Sequence, residues 1–136
     1  EAAHPGVVFV YMTGNAQATG EDGRNRWLCN ETIRRFCLAN DRVLYDFADL
    51  DCWWYDSTAG AWTFSYYVLA GDTIPVEHPR FHGGESGHTT FESCEQKGRA
   101  FWRLAAALAG WPGDTTAVRR GTWGGVKGEA GGERRR

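Results

Sequence analysis

No two cysteines in this chain lie at Cys-x-x-Cys spacing. Cys29, Cys37, Cys52 and Cys94 are scattered, which argues against a zinc ribbon or a dithiol redox motif. An excess of one charge is also lacking. With 15 Lys and Arg against 17 Asp and Glu, the formal charge is -2, so there is no basic footprint for nucleic acid or an anionic membrane surface. Long apolar runs are missing too. The longest, Val7 to Met12, falls far short of the roughly 20 residues that span a bilayer. The start of the chain shows no basic region followed by an apolar one, as a signal peptide would. No cofactor motif appears, and none is expected.

What remains describes a single domain. A chain of 136 residues, 42% hydrophobic and 24% charged, is large enough for one core and too small for two. The reading places that domain at residues 1–112. From Gly113 to Arg136 glycine and arginine dominate and apolar periodicity is lost, which predicts a disordered tail. The opening, Glu1-Ala2-Ala3-His4-Pro5-Gly6, reads as the end of a helix running into a strand, so upstream residues are expected to be missing. Disulfides do not follow from an even number of cysteines alone, but Trp and Tyr abundant in the Gly-rich middle loops predict an extracellular, disulfide-permissive setting. The pairing cannot be read.

Val7 to Met12 is an unbroken, β-branched apolar run, the pattern of a strand buried on both faces of a parallel sheet. Thr13-Gly14-Asn15 ends it, and the small, polar stretch Ala16 to Gly23 follows at the sheet edge where α/β proteins bind ligands. Cys29, Ile33, Phe36 and Cys37 recur at helical spacing, predicting a crossover helix capped at Asn25 and stopped near Asn40. Arg42 to Ala48 is the second strand, parallel to the first. Alternation through Trp62, Phe64, Tyr66 and Val68 predicts a hairpin or excursion between Cys52 and Leu69. Gly71 to Gly87 reads as loop. The last helix is expected over Lys97 to Gly110, with Phe101, Leu104 and Leu108 on one stripe.

His78, His82 and His88 stand at H-x3-H-x5-H spacing, which matches the histidines of a zinc-protease signature. Pro79 replaces the glutamate that signature needs and breaks the helix that would align two histidines, so no metal site is expected. Gly71-Asp72-Thr73 places a hydroxyl after an apolar strand, with no base adjacent to activate it. Asp49 and Asp51 read as loop caps or solvated carboxylates. Glu85-Ser86-Gly87-His88 sets a carboxylate three residues before a histidine, ahead of the last helix. That arrangement serves a general base and its orienting group.

Taken in order, the stretches His4 to Gly14, Arg42 to Asp49, Glu85-x-x-His88 and Lys97 to Trp102 resemble the later half of an SGNH (GDSL-like) hydrolase domain, in a secreted bacterial branch. The resemblance covers about residues 1–112. It implies a flavodoxin-like parallel α/β sheet, incomplete at its N-terminus, and hydrolysis of an acyl or acetyl ester on a small molecule or carbohydrate. His88 would be the general base, Glu85 its orienter, and Gly14 and Asn15 the oxyanion side. The family's Gly-Asp-Ser block is absent, Gly14 and Asn15 are adjacent instead of separated by one residue, and Glu stands for Asp. Without a serine the chain alone is expected to be weakly active or inactive. It is also expected to self-associate or to depend on a missing N-terminal half. The plain alternatives are a loop histidine at His88 and a turn residue at Asn15. The competing function is a non-catalytic carbohydrate-binding module that stacks sugars on Trp53, Trp54, Tyr55, Trp62, Phe64 and Tyr66.

Overall fold

A computed structural model describes residues 3–112; the tail assigned to 113–136 lies outside the described residues. The elements run β1 (Val10–Met12), α1 (Gly20–Ala39), β2 (Val43–Tyr45), α2 (Phe47–Cys52), β3 (Trp53–Asp56), β4 (Ala61–Phe64), β5 (Tyr66–Leu69), β6 (Asp72–Pro75), a 3-10 turn (Pro79–Phe81) and α3 (Phe91–Leu108). Among the described residues the architecture is mixed α/β, with three two-stranded sheets. β1 and β2 pair in parallel, Val10 opposite Val43 and Met12 opposite Tyr45, and α1 makes the crossover between them. The parallel unit read from the sequence is therefore present.

Its details differ from the expectation. The first strand is three residues long, and Val7 to Met12, predicted to be buried on both faces, is exposed throughout, from 36% at Tyr11 to 58% at Met12. A strand with one neighbour keeps its apolar side chains in solvent however strongly its sequence favours burial. Tyr11 rests against Phe36 of α1, with ring centroids 5.2 Å apart. Tyr45 meets Phe101 of α3 edge-on at 5.9 Å. The second strand stops at Tyr45, because Asp46 turns to cap α2 by accepting the Asp49 amide at 3.3 Å. That cap converts the expected strand end, Phe47-Ala48, into the first turn of a helix.

α1 begins at Gly20 after Thr19, and not at Asn25, and its buried residues are Gly23, Asn30 and Cys37. Cys29 and Phe36, expected to face the core, are exposed. The inward face of α1 is thus mainly polar, for reasons the site makes clear. The expected excursion is two hairpins. β3 pairs with β4, Trp53 opposite Phe64, and β5 with β6, Leu69 opposite Asp72. β6 and the 3-10 turn occupy part of what was read as loop. The β5–β6 turn places Ala70 and Gly71 at φ 53 and 87, the left-handed pair that matches hairpin twist. Gly71-Asp72-Thr73 is therefore turn and strand start.

α3 starts six residues earlier than expected. Thr90 caps it through Ser93 N at 3.3 Å, and Pro112 follows its end. Phe101 and Leu108 of the expected core stripe remain exposed. The interior lies instead at the carboxyl end of the parallel pair, where Ala16, Ala48 and Cys52 pack with Trp53 and Ile74 and Phe81 are fully enclosed. Each of those two large side chains is worth about 1.5–3 kcal/mol of burial. All four cysteines are free thiols, Cys37 and Cys52 buried, Cys29 and Cys94 exposed. Burial and the neighbouring Asp51 and Asp49 push the Cys52 thiol pKa well up.

Candidate functional site

The loop leaving β1 is pinned at Thr13, Gly14 and Ala16. Thr13, 1% exposed, donates its hydroxyl to Asp46 Oδ1 at 2.9 Å and accepts the Ala48 amide at 2.9 Å. Asp46 also takes Arg34 from α1 in a two-pronged contact, Nε to Oδ2 at 2.7 Å and NH2 to Oδ1 at 2.8 Å. Such forked pairs are strong and fix orientation. Burial works against the Arg34 charge, but Asp46 and Glu31 outweigh it and hold its pKa above the usual value. Gly14 exchanges two bonds with Asn30 of α1: its amide donates to Oδ1 at 2.8 Å, and its carbonyl accepts from Nδ2 at 3.3 Å. The Ala16 amide donates to Asp51 Oδ2 at 2.8 Å. These partners explain the polar inner face of α1.

Asn15 sits between the pinned residues. Its Oδ1 accepts from Arg26 NH1 and from the Gln17 amide at 3.3 Å. Both partners can only donate, so the oxygen is identified and Nδ2 is left as the donor this side chain can offer. Gln17 reaches across with Nε2 to Glu77 Oε1 at 3.2 Å and to the His88 carbonyl at 3.5 Å. In this way the β1 loop, the chain after β6 and the segment before α3 meet. Between them lies a cavity of about 270 Å³ walled by Asn15, Gln17, Phe47, His88, Cys94 and Lys97 among others.

Of the four site residues read from the sequence, the structure brings Asn15 and His88 to this one cavity. Gly14 adjoins it in sequence, but its amide is already committed to Asn30. Glu85 has other work. Its Oε2 accepts the Phe91 amide at 3.0 Å, and among the described residues no hydrogen bond joins it to His88. A carboxylate at the first turn of α3 satisfies an open N–H and complements the helix dipole, which accounts for glutamate there without a catalytic role.

The sequence reading missed the groups that hold the site together. Asp51, taken for a loop carboxylate, is 0% exposed and pairs with Lys97 Nζ at 2.5 Å, while its carbonyl accepts the His78 amide at 2.8 Å. Lys97 also donates to Ser93 Oγ at 2.6 Å and lies 4.6 Å from the centre of the Phe47 ring. Glu77 is buried as well, and burial first, then Asp51, raises its pKa against the opposing pull of Gln17, Lys97 and His82. A lysine within an otherwise apolar helix stripe, and Asn30, Arg34 and Cys37 at one helical phase, were the available signals.

His78 belongs to a different cluster. Its Nδ1 accepts the Arg80 amide at 3.2 Å, so Nε2 carries the proton and donates to Thr63 Oγ1 at 3.0 Å. The ring stacks on Trp54 at 5.5 Å, and the Arg80 guanidinium lies 4.9 Å from that indole. The remaining aromatics gather on the opposite face of the β3–β4 hairpin: Trp53 with Phe64 at 4.8 Å, Tyr55 with Trp62 at 5.3 Å, and Phe64 with Tyr66 at 5.9 Å.

No family model, curated protein or solved structure matches the chain. Among the described residues no helix is long and apolar enough to cross a membrane.

Proposed function

We propose that this chain carries the base and the amide donor of an SGNH-like ester hydrolase on part of a flavodoxin-like parallel sheet. The observation that carries the reading is that Asn15 and His88, far apart in sequence, wall one cavity at the carboxyl end of a parallel strand pair. That edge is where such sheets place their ligands. His88 takes the proton from the attacking oxygen, and Asn15 Nδ2 donates to the carbonyl oxygen as it gains charge. The acyl group lies between them. Glu85 is left out of the mechanism, since it caps α3, and Gln17 holds the His88 segment through its backbone carbonyl.

In the proposed assembly, the serine nucleophile arrives on a further strand that pairs with the open side of β1. The substrate is a small-molecule or carbohydrate ester in an extracellular setting. In the isolated chain His88 has water to activate instead, so turnover is slow. The test is hydrolysis of p-nitrophenyl acetate. His88→Ala is expected to lower the rate about a hundredfold, the scale of a lost general base; a rate unchanged by the substitution overturns the proposal.

One observation favours a second reading, a carbohydrate-binding surface. Trp53, Tyr55, Trp62 and Phe64 share one face of a hairpin whose outer rings are exposed, Tyr55 by 45% and Trp62 by 43%. Flat apolar rings with polar edges suit the faces of pyranose sugars. Trp54 has no part in it, being stacked on His78. Quenching or enhancement of tryptophan fluorescence by xylohexaose, lost in Trp62→Ala, supports this reading, and no spectral change counts against it.

A further inference from the structure

We infer that the cavity at the β1 loop binds short-chain carboxylates, with Lys97 as the charged anchor. The inference deepens the hydrolase reading and rests on it, because a carboxylate is the acyl product of ester hydrolysis. The first support is the character of the walls. Asn15 presents an amide donor, His88 an imidazole and Lys97 an ammonium, Phe47 adds an apolar side, and among the described residues no acidic one lines the cavity. A cavity with several donors and no carboxylate of its own suits a ligand that only accepts and carries negative charge.

The second support is the state of Lys97. It is 8% exposed, on the second turn of α3, and an ammonium has three protons to place. Ser93 Oγ accepts one of them at 2.6 Å, and Asp51 Oδ1, 2.5 Å away, pairs with the charge without forming a hydrogen bond. The third partner is the Phe47 ring at 4.6 Å, a weaker one than either oxygen. Phe47 is itself a cavity wall, so a carboxylate entering beside it meets the ammonium at its least satisfied side. Asp51 also anchors the Ala16 amide, and so ties the position of the cation to the loop that carries Asn15. The volume, about 270 Å³, leaves room for a chain of a few carbons against Phe47 once the carboxylate is seated. Lys97 also supplies what Gly14 cannot. With the Gly14 amide bonded to Asn30, the ammonium becomes the second donor to the oxygen that Asn15 contacts.

The probe is sodium butyrate, titrated by calorimetry against sodium chloride at matched ionic strength. Saturable binding specific to butyrate is expected, together with movement of the Lys97 side-chain NMR signals. Lys97→Gln combined with Asp51→Asn removes both charges and strands neither; it should weaken butyrate binding at least tenfold while leaving chloride behaviour unchanged. Binding unaltered in that variant, with cooperative melting retained, overturns the inference. So do Lys97 signals that stay still while butyrate binds, or butyrate binding no better than chloride. The signal shift is read on the unaltered protein, so it decides even where the double variant fails to fold. Butyrate binding without His88-dependent ester turnover would defeat the hydrolase reading alone. His88-dependent turnover that butyrate does not inhibit would defeat the Lys97 inference alone.

Discussion

The parallel pair with its helices and the β3–β4 hairpin invert each other's use of polarity. Around the β1 loop, Thr13, Asn30, Asp46, Asp51, Glu77, Ser93 and Lys97 are all enclosed, most of them in named hydrogen bonds or ion pairs. On the hairpin Tyr55, Trp62 and Phe64 lie at the surface and meet other aromatic rings. Enclosed polar groups are costly unless every partner is present. A fold that keeps so many together, at a sheet edge beside a cavity, is organised around geometry at that place. Exposed rings cost little to keep and specify little.

The largest expected effect breaks the polar side. Asp51→Ala leaves Lys97 enclosed without its counter-ion and frees the Ala16 amide. Stranding one member of a buried pair costs about 3–5 kcal/mol, or a melting point lower by more than about 12 °C in a domain of this size. Thermal unfolding followed by circular dichroism measures it. A loss below about 1 kcal/mol would mean that water reaches Lys97 freely.

The next effect concerns the open strand. Val7 to Met12 presents apolar side chains beside an edge with one strand neighbour, a recognised route to pairing between chains. Light scattering is expected to show self-association that Val10→Lys suppresses. A monodisperse monomer at high concentration would show that the exposed strand is tolerated as it stands.

Smaller, and dependent on pH, is the effect of Glu77. Its pKa is raised above the ordinary 4.5 by burial, so its contribution to stability is full below pH 4.5 and is lost as pH rises through the higher folded value. Glu77→Gln does not titrate. Its melting point relative to the unaltered protein should therefore climb as pH passes upward from 4.5 and level off above the folded value. A difference that is flat with pH would place Glu77 in contact with solvent. His78 works in the opposite sense: burial, then Arg80 and His82, lower its pKa, so its contribution is present above 6.5 and is lost as pH falls through the folded value.

The smallest effect belongs to the hairpin. Trp62→Ala removes an exposed ring that meets Tyr55 at 5.3 Å, and a change of roughly 1 kcal/mol or less is expected, the scale of one aromatic pair. A loss as large as that of Asp51→Ala would make the hairpin part of the core and erase the contrast between the two regions.

Legibility in the sequence followed the same divide. The parallel pair, its crossover helix and the hairpin aromatics could be read from run length and alternation, whereas the placing of Asn15 and His88 in one site was implied only by the family resemblance. Phase and partners could not. Cys29 and Phe36 looked like the core face of α1 because apolar period was the cue, whereas the inward face holds Asn30 and Arg34 to serve Gly14 and Asp46. Apolar periodicity misleads wherever the interior is itself polar. Glu85 looked like a catalytic partner because its spacing from His88 fitted, yet the nearby helix start had an open amide to satisfy. Asp51 and Lys97 lie on different helices, and no local pattern links a carboxylate to a lysine so distant in the chain.

The most direct test of the central claim, that Asn15 and His88 act on one acyl group, is a double-substitution cycle on p-nitrophenyl acetate hydrolysis. Groups acting on a single transition state are non-additive. Asn15→Ala and His88→Ala should each slow turnover, and the double variant should be scarcely slower than His88→Ala alone. Fully multiplicative losses, or a rate indifferent to Asn15, would show that the two residues share a cavity without sharing a reaction.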